Sequence, residues 1–122
     1  MKNLFLFCLI SISAFFFSCS SSNSVITNKE YPPTDTVELY MDINSLPTKE
    51  YVEVGYVEAN GAIFTDKETL LEKMIEEAKQ HGADAIIKIE FFDKSYIDQN
   101  GTIILPNSKG MMIKYKSNIK QK

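Results

Sequence analysis

The sequence predicts an α+β fold: a small β-β-α-β-β domain with one helix packed on a mostly antiparallel four-stranded sheet. Three observations carry this expectation. Apolar residues of helical period fill one segment only, residues 70–78. Short alternations of apolar and polar residues occupy residues 51–59, 85–92 and 110–116. Asn100-Gly101 stands between two β-rich runs, as a two-residue hairpin turn requires.

The first strand is placed at residues 36–41, with Val37 and Leu39 on one face. Turn chemistry follows in Asn44-Ser45 and Pro47. In the second strand, residues 51–59, Val52, Val54 and Tyr56 alternate with Glu53 and Gly55, and Val57 breaks the alternation. A bulge near Gly55 accounts for the break. Asn60-Gly61 ends the strand.

Thr65-Asp66-Lys67-Glu68 reads as a capping box, with Thr65 as the cap of a helix from Asp66 to His81. Leu70, Leu71, Met74, Ile75 and Ala78 form its buried stripe, and Glu72, Lys73, Glu76, Glu77 and Gln80 its wet face. Gly82 supplies the left-handed residue that stops it.

In the third strand Ala85, Ile87, Ile89 and Phe91 are expected under the helix, with Ile86, Lys88, Glu90 and Phe92 facing away. An unbroken register from the Asn100-Gly101 turn would set Lys114 opposite Ile87 and Lys116 opposite Ala85 in the core. A one-residue shift within residues 106–109 is therefore expected, returning Ile113 and Tyr115 to the core.

Upstream of the domain, Lys2 precedes an apolar run over residues 4–17 broken only by Ser11 and Ser13, which ends Phe16-Phe17-Ser18-Cys19. The run has the length of a secretory apolar region and falls short of the roughly 20 residues of a spanning helix. Its end resembles a lipobox, with small Ser18 before Cys19. The implied product is a palmitate-bearing lipoprotein whose lipidation site, Cys19, becomes the first residue of the mature chain. Several acyl chains hold a protein on a membrane stably, as one chain does not.

The chain then divides into a signal peptide (1–18), a lipidated cysteine with a flexible tether (19–34), the α/β domain (35–117) and a basic C-terminal tail (118–122). Extended, residues 20–34 reach at most about 50 Å, so the domain need not lie on the bilayer. Ser20 is not acidic and no charged run follows Cys19. The expected location is the cell envelope, on the outer membrane and facing the periplasm.

Cys8 and Cys19 are the only cysteines, so the mature domain holds no internal disulfide. All 13 basic residues are lysines. Residues 30–98 carry all 16 acids against six lysines, and residues 99–122 carry five lysines and no acid. The simplest placement sets the lysine-rich last strand beside acidic neighbours. A split charge can also steer a partner or touch an anionic lipid surface. A net charge of −3 without arginine argues against nucleic acid.

Val37-Glu38-Leu39-Tyr40, Lys49-Glu50-Tyr51-Val52-Glu53-Val54-Gly55 and the helix end Gly82-Ala83-Asp84-Ala85-Ile86-Ile87 together resemble a group of small bacterial lipoproteins. The group includes the Rcs stress-sensor lipoprotein and the related YbjQ-like domains. Over residues 36–116 the resemblance implies one helix on a small sheet and an envelope-sensing or interaction role. The Rcs sensor relies on disulfides, whereas the domain here has no cysteine pair.

No constellation calls for catalytic, cofactor-binding or metal-binding residues. The one imidazole, His81, is expected at the helix end, facing terminal carbonyls or solvent. Glu53, Glu58 and Glu90 read as acids on a solvated sheet face. Tyr40, Tyr51, Tyr56, Phe92 and Tyr96 are expected as an aromatic patch on the face away from the helix, as recognition uses. The implied function is a non-enzymatic protein-interaction or envelope-sensing module. Its partners are the membrane through the lipid anchor, an envelope protein, and a second copy of the chain on the uncovered sheet face. A small-molecule or metal-binding periplasmic module is the alternative.

Overall fold

The computed structural model describes residues 21–26 and 30–120, so the expected signal peptide and the lipidation site Cys19 lie outside the described residues. Among the described residues five strands and one helix follow in order: β1 (Ser21–Ile26), β2 (Glu38–Leu39), β3 (Tyr51–Asn60), α1 (Lys67–Gln80), β4 (Ala85–Asp98) and β5 (Gly101–Tyr115), with a short 3-10 turn at Lys116–Asn118. The sheet order is β1-β3-β5-β4-β2. Only the β2–β4 pair is parallel. The expected four strands and helix are all present, as a small α+β domain.

The fifth strand is a correction. The composition of residues 21–26 predicts a flexible tether, yet they pair along β3 from Ser21 beside Asn60 to Ile26 beside Gly55. The physical reason is the outer edge of β3, whose amides and carbonyls would otherwise face no strand. The first domain strand is correspondingly short, two residues rather than six.

The helix stops as expected. Gly82 takes φ +74°, its N–H donates to the Lys79 carbonyl at 3.1 Å, and the Ala83 N–H donates to the Ala78 carbonyl at 3.0 Å. These are the two bonds of a Schellman motif, and buried Ala78 and Ala83 supply its apolar contact. The start differs by one residue. Asp66 is the cap, its carboxylate accepting from the Thr69 N–H at 2.8 Å, while Thr65 Oγ1 accepts from the Ala62 N–H and closes the preceding turn. A carboxylate at this position also meets the positive end of the helix dipole, which a threonine hydroxyl does not.

The register differs more. The β4–β5 turn is Gln99-Asn100, because Asp98 faces Gly101 across the ladder. Gly101 takes φ +130°, so the glycine serves the first ladder position rather than the turn. The expected shift exists but lies in β4 between Ile87 and Glu90, not in residues 106–109. Lys88 there takes φ +53° and absorbs the extra residue of a bulge. The bulge expected near Gly55 is present between Glu53 and Gly55.

Moving the bulge changes which residues face the helix. Leu70, Met74 and Ala78 pack with Val54, Val57, Ala59, Ile86, Ile89 and Met112, and Leu71 joins from the rim. Ala85, Ile87, Met111, Ile113 and Tyr115 form a separate buried layer on the opposite face. Ile86 and Met112, not Ile87 and Ile113, therefore lie under the helix. Lys114, expected to avoid that side, lies there with 6% exposure; its ammonium is 3.3 Å from Asp84 and 5.7 Å from the Tyr31 ring centre.

Topology supplies the cover for the second face. β2 and β3 lie on opposite sides of the β5–β4 pair and α1 occupies the other face, so the connection after β2 must cross the helix-free face. Ile43 in that connection lines a hollow with Tyr56, Lys88 and Met111.

Candidate functional site

Two features of the helix-free face concentrate chemistry. The first is a hydroxyl–carboxylate cluster at the end where β2 begins. Tyr115 OH donates to Glu38 Oε2 at 2.8 Å, Tyr40 OH reaches the same oxygen at 3.3 Å, and the two hydroxyls are 3.2 Å apart. The parallel pairing of β2 with β4 brings Glu38 here, and the Lys49 ammonium sits 4.9 Å from the Tyr115 ring centre. Burial, then the bonds to Tyr40 and Glu38, push the Tyr115 phenol far above its ordinary 10.0.

The sign of the consequence follows from proton counting. Above pH 10.0 the unfolded chain releases this proton and the folded chain keeps it, so the contribution is whole below that pH and lost as pH rises beyond it. Urea unfolding between about pH 8 and pH 11 should show stability falling by up to about 1.4 kcal/mol per pH unit from this group, and Tyr115→Phe should flatten that part of the slope. Equal slopes in the two proteins would refute the assignment.

The second feature is a charged and aromatic ladder leading to the outer edge of β4. Glu58, Lys109 and Glu90 stand in cross-strand register on β3, β5 and β4. Lys109 pairs with Glu90 at 3.3 Å, and Lys94 bonds Glu58. The ammonium groups of Lys94 and Lys109 lie 5.6 and 5.4 Å from the Phe92 ring centre. Both cations are thus within reach of the negative face of the ring.

β2 pairs β4 only at Ala85 and Ile86, and beyond that point β4 has no neighbour on its outer side among the described residues. The Gly61 N–H donates to the Pro106 carbonyl at 2.8 Å, so Pro106 turns its backbone toward β3. Asp93, opposite Pro106, then turns its own amide and carbonyl outward, as do Phe91 and Ser95 by alternation. A groove of about 460 Å³ runs beside this edge, lined by Met41, Asp42 and Ile43 on one side and residues 89–92 with Lys109 on the other. Met41 and Ile43 are about half exposed.

The sequence-predicted residues fall as follows. Tyr40, Tyr51, Tyr56, Phe92 and Tyr96 all lie on the face away from the helix, although Tyr40 and Tyr51 are spent packing against the second core layer. Glu58 and Glu90 belong to the ladder rather than to an open acidic face. Glu53 is exposed on the same face, opposite Ile113. His81 faces carboxylates instead of terminal carbonyls: Nε2 is 3.2 Å from Glu77 and Nδ1 3.4 Å from Glu30. Among the described residues, no three His, Cys, Asp or Glu side chains converge as a metal site would need. The lysines of the last strand and of the turn after it do meet acids, Lys109 with Glu90, Lys114 with Asp84 and Lys116 with Glu50.

Sequence reasoning missed Met41, Ile43, Lys94 and Lys109. Alternation alone puts Lys94 on the face of Phe92, and the β4–β5 register adds Lys109, whereas no local signal brings residues 41–43 to the β4 edge. No protein-family model matches the chain, and neither a curated protein nor a solved structure matches it.

Proposed function

We propose that the chain is a lipid-anchored envelope protein, held by acylated Cys19, whose domain is a non-enzymatic interaction module. Its recognition element is the outer edge of β4, which accepts an extended segment of an envelope protein as an added strand. The observation behind this reading is a run of outward-facing backbone at Phe91, Asp93 and Ser95 that begins at a groove lined by Met41, Ile43 and Phe91. Strand addition draws affinity from main-chain bonds and specificity from the flanking side chains, here Met41, Ile43, Phe92 and the Lys109–Glu90 pair. A small ligand is the second reading, favoured by the volume of the groove and by the two opposite charges at its wall.

The edge hypothesis has a direct test. A photoreactive residue at Asp93 should capture a protein partner in the native envelope, and Ser95→Pro should abolish capture. Proline at an outward-facing edge position removes a donor from the incoming strand without breaking the β4–β5 ladder, so the melting temperature should hold. Capture that survives Ser95→Pro, or membrane attachment that survives Cys19→Ala, would reject the proposal. A small molecule that competes with capture, bound equally by Ser95→Pro, would favour the second reading.

A further inference from the structure

Ser21 of β1, Asn60 of β3, Asn107 of β5 and Phe92 of β4 form one row across the sheet. Three features share the end of the molecule beyond that row: the first residue of β1, the connection from β3 to α1, and the ribbon formed by residues 93–106. Of the ten large apolar residues that are substantially exposed among the described residues, six lie beyond it: Ile63, Phe64, Tyr96, Ile97, Ile103 and Ile104. Phe64 is 99% exposed and takes φ +67°, a left-handed conformation unfavourable for a phenylalanine. Ile97 is 82% exposed. The fold leaves Phe64 and Ile97 nearly bare and the other four side chains partly covered.

The same row fixes where a lipid would be. Cys19 precedes Ser21 by two residues, and two residues of extended chain span at most about 7 Å. The pairing of β1 with β3 therefore consumes the tether that would have let the domain stand off. An acylated Cys19 holds this end, and no other, against the bilayer.

We infer that the end of the sheet carrying Ile63, Phe64 and the apolar ribbon of residues 96–104 docks on the lipid surface beside the Cys19 anchor, with Phe64 and Ile63 at the headgroup–acyl boundary. The inference rests on the acylation of Cys19 proposed above. Burial of a phenylalanine and isoleucines in that boundary gains the free energy that exposure in water forfeits. The ribbon lies along the surface with Ile97 and Ile104, which share its helix-side face, toward lipid. Its polar turn, with the Asp98 carboxylate accepting from the Asn100 N–H at 2.7 Å, stays in water.

The chain contains no tryptophan, so a single introduced one reports its own surroundings. Full-length acylated protein carrying Phe64→Trp or Ile97→Trp would be reconstituted in phosphatidylethanolamine–phosphatidylglycerol vesicles with and without bromine on the upper acyl chains. Ser117→Trp, in the turn that follows β5 at the opposite end, is the control. Emission from the Phe64→Trp and Ile97→Trp proteins is expected to shift to shorter wavelength and to lose intensity with brominated lipid, while the Ser117→Trp protein keeps the spectrum of an exposed indole. Acylated protein that stays with the vesicles while the indoles of Phe64→Trp and Ile97→Trp remain unquenched overturns the docking and leaves the anchor standing. Protein that carries no acyl group and leaves the vesicles overturns the anchor first. A blue shift of the Phe64→Trp protein in detergent-free solution without vesicles shows the end covered by protein, and overturns a lipid docking site equally.

Discussion

Asp84→Ala is expected to destabilise the domain by about 3–5 kcal/mol, because it strips the partner from a buried cation. Asp84 Oδ1 lies 3.3 Å from the Lys114 ammonium, whose side chain is 8% exposed under the helix, and Oδ2 accepts from the Tyr115 N–H at 2.8 Å. Its backbone is committed as well, the N–H donating to the Ile113 carbonyl and the carbonyl accepting from the Glu38 N–H. One residue thus ties the start of β4 to the end of β5 and to β2. A net stabilising value for the ion pair does not follow, since two buried charges and a well-packed apolar pair are often equivalent. The decisive comparison is a double-mutant cycle read by urea unfolding: Asp84→Ala severe, Lys114→Met mild, and Lys114→Met recovering much of the loss in the Asp84→Ala background. Additive losses would show that Asp84 acts through its bond to Tyr115 alone.

The parts of the fold that are legible without the structure are those decided locally. The Schellman stop at His81-Gly82 needs only the helix and its next two residues, and the Gly55 bulge shows itself by a broken alternation in β3. The register of β4 and β5 is not legible, since Gln99-Asn100 and Asn100-Gly101 are both workable turns. The choice between them depends on which side chains meet across the sheet. With the bulge at Lys88, Ile86 and Met112 reach the helix while Ile87 and Ile113 build a second layer, a division invisible in a run of alternating isoleucines and methionines. Lys114 looks misplaced in a core for the same reason. Its partner Asp84 stands thirty positions away in sequence, and the motif that contains it reads as a helix end rather than as a buried acid.

β1 is hidden for a different reason. Ser-Ser-Asn-Ser-Val-Ile has the composition of a linker, and an edge strand can form from such a segment when a neighbouring edge offers it unpaired backbone. That single pairing changes the functional geometry more than any other departure from expectation. It would set the proposed anchor two residues from the sheet instead of on a long leash, and it assigns the exposed Ile63-Phe64 turn and the β4–β5 ribbon to the same end as the proposed lipid.

Gly82→Ala should be nearly as damaging as loss of Asp84, through two separable effects. The first is conformational: φ +74° costs a residue with a Cβ roughly 1–2 kcal/mol. The second is steric, because a Cβ at this position would meet the Pro32 carbonyl oxygen and, at 2.6 Å, the Tyr31 carbonyl oxygen. Both are backbone atoms and cannot swing aside like the end of a side chain. Relief would require residues 31–34 to lift, and Thr34 binds that segment down through its N–H to the Lys79 carbonyl at 3.0 Å and its hydroxyl to the Ala83 carbonyl at 2.7 Å. Tyr31 would lift with them and leave the Lys114 ammonium it covers. Asparagine distinguishes the two effects, since it tolerates the left-handed region but carries the same Cβ. If the clash governs, Gly82→Asn and Gly82→Ala should both lower stability by roughly 2–5 kcal/mol, the sum of a left-handed cost and an overpacking cost. For a domain of this size each kcal/mol moves the melting temperature by about 4–8 °C, so the loss is readable by thermal unfolding. A Gly82→Asn protein that melts within a few degrees of the parent would show instead that only backbone conformation matters there, and that the segment before β2 can yield to a side chain.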